Sequence, residues 1–233
     1  MGIFVKGERP MINVAIDGPA GAGKSSIAKR IASELGYVYI DTGAMYRTLA
    51  YKALGMNIDI KAEPEKVCNM LKTTNIDIKY TDGSQHMYSD GSDVTDYIRT
   101  PAVSMGASAI SAIPEVRSWL LDFQRELAMR TDCIMDGRDI GTVVLPKANV
   151  KIFLTASSEA RAKRRYDELI EKGEKVTFEE VLEDMIKRDA NDMGRACAPL
   201  KQAEDALLVD TSNLDFEQSV QAIKDIILSK VEG

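Results

Sequence analysis

"GPAGAGKSS", residues Gly18 to Ser26, follows the short apolar run "INVAID" (Ile12 to Asp17) and leads into "IAKRIASELG". An apolar run of this length that stops at glycine reads as a buried strand. Ile27, Ile31 and Leu35 recur one turn apart and Gly36 supplies a stop, so the segment after the glycines is a helix. Between strand and helix, Gly18-x-x-x-x-Gly23-Lys24-Ser25 is a complete P-loop pattern. Its glycines let backbone N–H groups turn towards phosphate oxygens, and the helix N-terminus adds positive potential. In such a loop Gly18, Pro19, Ala20, Gly21, Ala22, Gly23, Lys24, Ser25 and Ser26 would cradle the phosphates of a nucleoside triphosphate. Lys24 reaches the β and γ phosphates, and the Ser25 hydroxyl helps to hold Mg²⁺.

Working outward, "YVYIDTG" (Tyr37 to Gly43) is a second strand and "AMYRTLAYKALG" a second helix ending at Gly55. The β-α-β-α order implies a parallel sheet with helices packed on it. The pattern then breaks. "EPEKVCNMLK" is a short helix, and "NIDIKYTDGSQHMYS" is two alternating runs joined by Asp82-Gly83, a hairpin signal. Thr100 and Pro101 suit the cap and first position of a further helix. A hairpin within a βα series is an insertion, placed at residues 57–113. The series resumes at Pro114 with a helix carrying Trp119, Leu120, Phe123 and Leu127, then the buried strands "CIMDG" and "VKIFLTA". A basic helix follows. "TFEE" (Thr177 to Glu180) is a capping box opening a helix whose apolar face is Val181, Leu182, Met185 and Ile186. "ALLVDTS" is the last strand and the segment from Asp215 the last helix.

The organisation expected is a leader at 1–11, read as loose, a core at 12–56 and 114–233, the insert at 57–113 and a lid region at 161–192. The chain has 233 residues, of which 45% are hydrophobic and 28% charged, enough for a core without staples. Thirty Lys and Arg against 36 Asp and Glu leave a net charge of -6, the wrong balance for a nucleic-acid backbone. Three cysteines far apart and one histidine make no metal or disulfide framework. No signal peptide and no membrane-length apolar run stand out. A cytoplasmic monomer that binds small molecules, and neither nucleic acid nor membrane, is expected.

A regulatory GTPase would carry an Asn-Lys-x-Asp motif, and none occurs; a motor would need a long coupling domain. A small phosphotransferase fits. A hydroxyl acceptor wants a carboxylate base, whereas a phosphate acceptor is already an anionic nucleophile and instead calls for arginines. Arg47, Arg117, Arg138, Arg161, Arg164, Arg165, Arg188 and Arg195 lie near the ends of core elements or in the lid. Arg188, Asp192 and Arg195 are spaced four and three apart, as on one helix face. Asp136 ends a buried strand, where it either holds Mg²⁺ or caps the next turn. Cys133 reads as core packing.

"AIDGPAGAGKSS", "IDTGAMYR", "DGRDIGTVV", "KIFLTAS" with the arginines after it, and "RD", "APL" and "DTS" near the C-terminus resemble bacterial cytidylate kinases from about Met11 onward. The resemblance implies an α/β nucleoside-monophosphate-kinase fold: a parallel five-stranded sheet with helices on both faces, a monophosphate-binding insert and a short lid. It implies transfer of the γ-phosphoryl group of ATP, with Mg²⁺, to CMP or dCMP. On these residues it would place the acceptor phosphate on Arg47, Arg138 and Lys24, and the sugar on Asp192 and Arg188. Ser108, Arg117, Asp139 and Arg195 would read the base, with Thr42 nearby. Lys24, Arg138 and Arg188 would act on the transferring group, and the lid arginines Arg161 and Arg165 would cover the donor phosphates. Cytosine offers an exocyclic amine donor beside ring acceptors, so a carboxylate and an arginine suit it and leave uracil mismatched. A P-loop kinase for UMP or a small metabolite, and a non-catalytic nucleotide-binding module, are the rival readings.

Overall fold

The computed structural model describes residues 10–81 and 83–231. Most of the expected leader, residues 1–9, and Asp82 of the expected hairpin turn lie outside the described residues. In chain order the elements are β1 (Asn13–Asp17), α1 (Lys24–Leu35), β2 (Val38–Asp41), α2 (Thr42–Gly55), α3 (Pro64–Leu71), β3 (Ile76–Thr81), β4 (Ser84–Ser89), β5 (Ser92–Asp93), α4 (Pro101–Ile110) and α5 (Pro114–Arg130). They continue with β6 (Cys133–Gly137), a π-helical turn (Ile140–Val144), β7 (Val150–Thr155), α6 (Ser158–Glu171), α7 (Phe178–Met193), β8 (Leu207–Asp210) and α8 (Phe216–Val231).

The chain divides into two compact units, one holding the segments up to Tyr39 and from Thr131 onward, the other Ile40–Arg130. The first is built on a five-stranded sheet in the order β2-β6-β1-β7-β8. β1 runs parallel to both β6 and β7, and β7 parallel to β8. Strands covered on both faces read as continuous apolar runs rather than alternating ones, and Val14, Ala15 and Ile16 are fully buried. Ile27, Ile31 and Ala28 of α1 and Val220, Ile223 and Ile227 of α8 complete that core. Register pairs Ile16 with Asp136 and Asp17 with Gly137, which brings the carboxyl ends of β1 and β6 level. In open α/β sheets that edge is where ligands bind.

α6 and α7 form a helical pair with a small core of their own. Ala162, Val181 and Met185 are buried there, with Tyr166, Leu169, Phe178 and Leu182 packed against them. The capping box is present in full: Thr177 Oγ1 accepts from Glu180 N, and Glu180 reaches back to Thr177 N. Ile186, expected on the apolar face, is instead 51% exposed. Val181 and Met185 lie four apart on one line of the helix, and Ile186, a further 100° round, passes the edge of that narrow stripe.

The second unit contains the hairpin: β3 and β4 pair antiparallel with Thr81 opposite Ser84, and the short β5 adds a third strand. Thr100 caps α4 through Val103 N, and Pro101 is its first residue. α2 begins at Thr42 rather than after Gly43, because the Asp41 side chain accepts from Ala44 N and so supplies the cap. Along α5, Leu120 is buried while Trp119, Phe123 and Leu127 are half-buried.

Candidate active site

The P-loop leaves β1 under tight steric control. Gly18 has φ +150°, and a Cβ there would stand 1.9 Å from the Leu154 carbonyl oxygen of β7. Gly23 precedes α1 in the left-handed region, at φ 87°, where a side chain is disfavoured. Lys24 is buried and its ammonium donates to the Pro19 carbonyl at 2.7 Å, across the mouth of the loop. Burial, then the nearby Arg138 charge, push its pKa well below the ordinary lysine value, against the opposing pull of Asp136 and Asp17. A polyphosphate placed there would supply negative charge that favours the protonated ammonium.

Ser25 Oγ donates to Asp136 Oδ2 at 2.8 Å, and Tyr39 Oη donates to Asp136 Oδ1 at 2.9 Å. A hydroxyl and a carboxylate side by side are hard oxygen donors, suited to a Mg²⁺ that takes its other ligands from phosphate and water. Among the described residues no group of three or more His, Cys, Asp or Glu side chains could hold a metal. The donor set therefore fits the ion of a nucleotide site rather than an all-protein cage.

Beyond β6, Arg138 Nε donates to Asp192 Oδ2 at 2.7 Å, and Arg195 pairs with the other oxygen of the same carboxylate. Asp192 is buried. Burial pushes its carboxyl up, but the charges of Arg138 and Arg195 outweigh this and hold it below the usual range. α7 ends at Met193, so Arg195 lies past the helix and reaches back to Asp192 rather than sharing its face. Arg188, one turn before Asp192, adds positive charge felt by both Asp192 and Lys24. Asp139 is buried just after Arg138.

The basic helix divides by face. Lys163 and Arg165 are exposed and pair with Asp167 and Glu168 on the same helix, as a solvated face would. Arg161 and Arg164 turn inward. Buried Arg161 donates to the Ala20 carbonyl of the P-loop and to the Ala156 carbonyl, both at 2.9 Å, and pairs with Asp189 of α7 at 2.7 Å. Arg164 donates to the Thr211 carbonyl at 2.6 Å. Of the two lid arginines singled out in the sequence, Arg161 is thus tied to the loop's backbone and Arg165 lies on the surface.

In the second unit, Arg47 of α2 lies with its Nη1 3.6 Å from Asp41 Oδ2, and that buried nitrogen has no hydrogen-bond partner among the described residues. Arg99 reaches the same oxygen at 3.1 Å. Arg117 of α5 is buried, donates to the Ser111 carbonyl at 3.1 Å and sits 5.6 Å from the Tyr46 ring centre. Ser108 of α4 is half-buried, and its carbonyl accepts from Ser111 Oγ. Thr42 is buried at the start of α2.

A family profile described as cytidylate kinase matches residues 14–229. The chain belongs to the cytidylate kinase family. It is 53% identical over 215 residues to a cytidylate kinase of Caldicellulosiruptor saccharolyticus, covering 92% of this chain and 95% of that one. A cytidylate kinase of Caldicellulosiruptor bescii is 52% identical over 222 residues, covering 95% and 98%. An uncharacterised protein from Eubacterium ventriosum superposes with a TM-score of 0.52 at 13% identity, over 94% of this chain and 99% of that one, a likeness of fold alone. Membership of the cytidylate kinase family makes the chain an enzyme and sets aside the non-catalytic module. Three residues of the site escaped sequence reading: Tyr39, which steadies Asp136, Asp41, which meets Arg47, and Asp189, which meets Arg161. Asp41 and Asp189 lie within the quoted "IDTGAMYR" and "RD" stretches, which do not say what each aspartate pairs with, and Tyr39 lies in neither. Among the described residues no helix is long and apolar enough to cross a membrane.

Proposed function

We propose that the chain transfers the γ-phosphoryl group of ATP to CMP or dCMP, giving ADP and CDP or dCDP. The match to cytidylate kinases over nearly the whole chain carries this reading. A phosphate oxygen of the acceptor forms the new bond to the γ-phosphorus as the bond to the β,γ-bridging oxygen breaks, and ADP leaves with the electron pair. No general base is needed, because the nucleophile is already anionic at neutral pH.

Lys24 follows the charge as it moves from the γ-phosphoryl group to the bridging oxygen. Ser25 and Asp136 would hold Mg²⁺, which when bound would supply positive charge to the phosphates. Arg138, held by Asp192, and Arg47, whose buried Nη1 is without a hydrogen-bond acceptor among the described residues, are the acceptor-phosphate ligands. Arg188 and Asp192 take the sugar. Ser108, Arg117, Asp139 and Arg195 take the base, beside Thr42. Arg161, tied to the P-loop backbone, serves the donor side, and Arg165 would have to leave Glu168 to join it.

A coupled assay with ATP and CMP, dCMP, UMP or AMP tests the acceptor directly. CMP and dCMP turnover far above the others is expected; UMP or AMP used equally well overturns the reading. Hydrogen exchange tests the parts separately. Exclusion of water is what keeps phosphoryl transfer from becoming hydrolysis. Exchange in residues 57–113 and 161–192 should therefore slow when both nucleotides are present, and slow less with ATP alone. Equal protection of 57–113 with and without acceptor would remove that segment from acceptor binding.

A further inference from the structure

β1 ends in Asp17, the residue directly before the P-loop, and its side chain reaches across to the turn that follows β6. Asp17 is buried, and its two carboxylate oxygens accept separately from Ile140 N and Gly141 N, each at 2.7 Å. These are the first two amides of the π-helical turn, whose later amides Val143 N and Val144 N both donate to the Asp139 carbonyl. Amides at the start of a helical turn have no partner within it, so a carboxylate 123 residues earlier in the chain supplies the missing acceptors for this turn. Burial pushes the Asp17 carboxyl up to about 6, with the two backbone N–H bonds pulling the other way. The site is crowded: a Cβ on Gly141 would meet Lys151 Cδ at 3.2 Å and Asp17 Oδ2 at 3.4 Å.

We infer that Asp17 is a positioning residue for the acceptor: by clamping the backbone of Ile140 and Gly141 it fixes the peptide that presents Arg138 and Asp139. π-helical turns often sit at functional positions, and this one begins directly after the two residues assigned to acceptor phosphate and base. The carboxylate holds the base reader from the donor side of the chain; its charge is also felt by Lys24, so the ratio between acceptor bases, which Lys24 does not read, is what reports the clamp. The inference rests on the acceptor roles proposed for Arg138 and Asp139.

Asp17→Asn tests it. The amide keeps the shape but offers one oxygen and a pair of donors, so one backbone N–H would face another donor. A misplacement of about 1 Å can cost on the order of 10²-fold. The variant is expected to show a CMP KM raised at least ~10-fold and a CMP-over-UMP ratio in kcat/KM lowered at least ~10-fold, with the ATP KM within ~3-fold. Hydrogen exchange across 138–145 should quicken in the same variant. Equal losses towards ATP and CMP, or an unchanged CMP-over-UMP ratio, overturn the positioning role. Where Asp17→Asn does not fold, Asp17→Glu, which keeps the charge and displaces the carboxylate, carries the same comparison. The parent is measured alongside. A parent without preference for CMP overturns the acceptor reading itself, whereas a selective parent with an unchanged variant ratio overturns only the role of Asp17.

Discussion

Lys24→Ala should leave a folded protein whose turnover falls by about 10³-fold or more, the order of loss seen when a cation serving the transferring phosphoryl group is removed. Lys24 belongs to α1 and ends on the Pro19 carbonyl, so its ammonium spans the loop proposed to hold the phosphates. It is also a buried charge with a depressed pKa. Desolvating an ammonium is costly, so replacing it with alanine relieves a burden on the fold while removing the charge that chemistry needs. Activity and stability are therefore expected to part company: thermal denaturation unchanged or slightly raised, kcat collapsed. Single-turnover assays with saturating ATP and CMP, beside a melting curve, check both halves. Turnover within tenfold of the parent would show that Lys24 does not serve the transferred group.

Base selectivity should be nearly as sensitive. Each mismatched buried polar contact costs ~1–3 kcal/mol, so two or three such contacts separate CMP from UMP by about 10² to 10⁴ in kcat/KM. Asp139→Asn keeps the outline of the side chain and can offer an N–H to the uracil carbonyl. It is expected to lower activity on CMP, raise relative activity on UMP and leave ATP affinity nearly unchanged. Arg117→Ala should hurt both pyrimidines mainly through KM, since the base lies away from the reacting phosphate. Steady-state kinetics of parent and variants on CMP, dCMP, UMP and AMP provide the measurement. An unchanged CMP-to-UMP ratio in Asp139→Asn would show that this aspartate does not read the base.

Local chemistry was legible in the sequence wherever a few consecutive residues determine it. The P-loop, the Thr177 capping box, the Thr100-Pro101 helix start and the runs that became β1, β6 and β7 belong to this class. What escaped depends on partners far along the chain. Tyr39 meets Asp136 across 97 residues and Arg161 meets Ala20 across 141. Helical spacing says which side chains share a face, but not which face turns inward. The arginines of α6 accordingly divide among solvent, the P-loop and the Thr211 carbonyl in a way that composition cannot foretell. The π-helical turn is of the same kind: its first amides are satisfied by Asp17, so nothing in "DIGTVV" itself announces it.

The contact between Gly18 and β7 bears on how defects in this loop are to be interpreted. Any side chain at position 18 would collide with the Leu154 carbonyl oxygen, a backbone atom fixed in the middle strands of the sheet. A genetic screen scoring only growth would place Gly18→Ala beside Lys24→Ala and credit both to ATP handling. Their biochemistry should differ: the lysine allele accumulates as full-length, inert enzyme, whereas the glycine allele melts early and is lost to proteolysis. Abundance measured by immunoblot, set against activity per molecule, would tell the two apart. The first glycine of the motif would then count as a residue of the fold, and only its neighbours as residues of the catalyst.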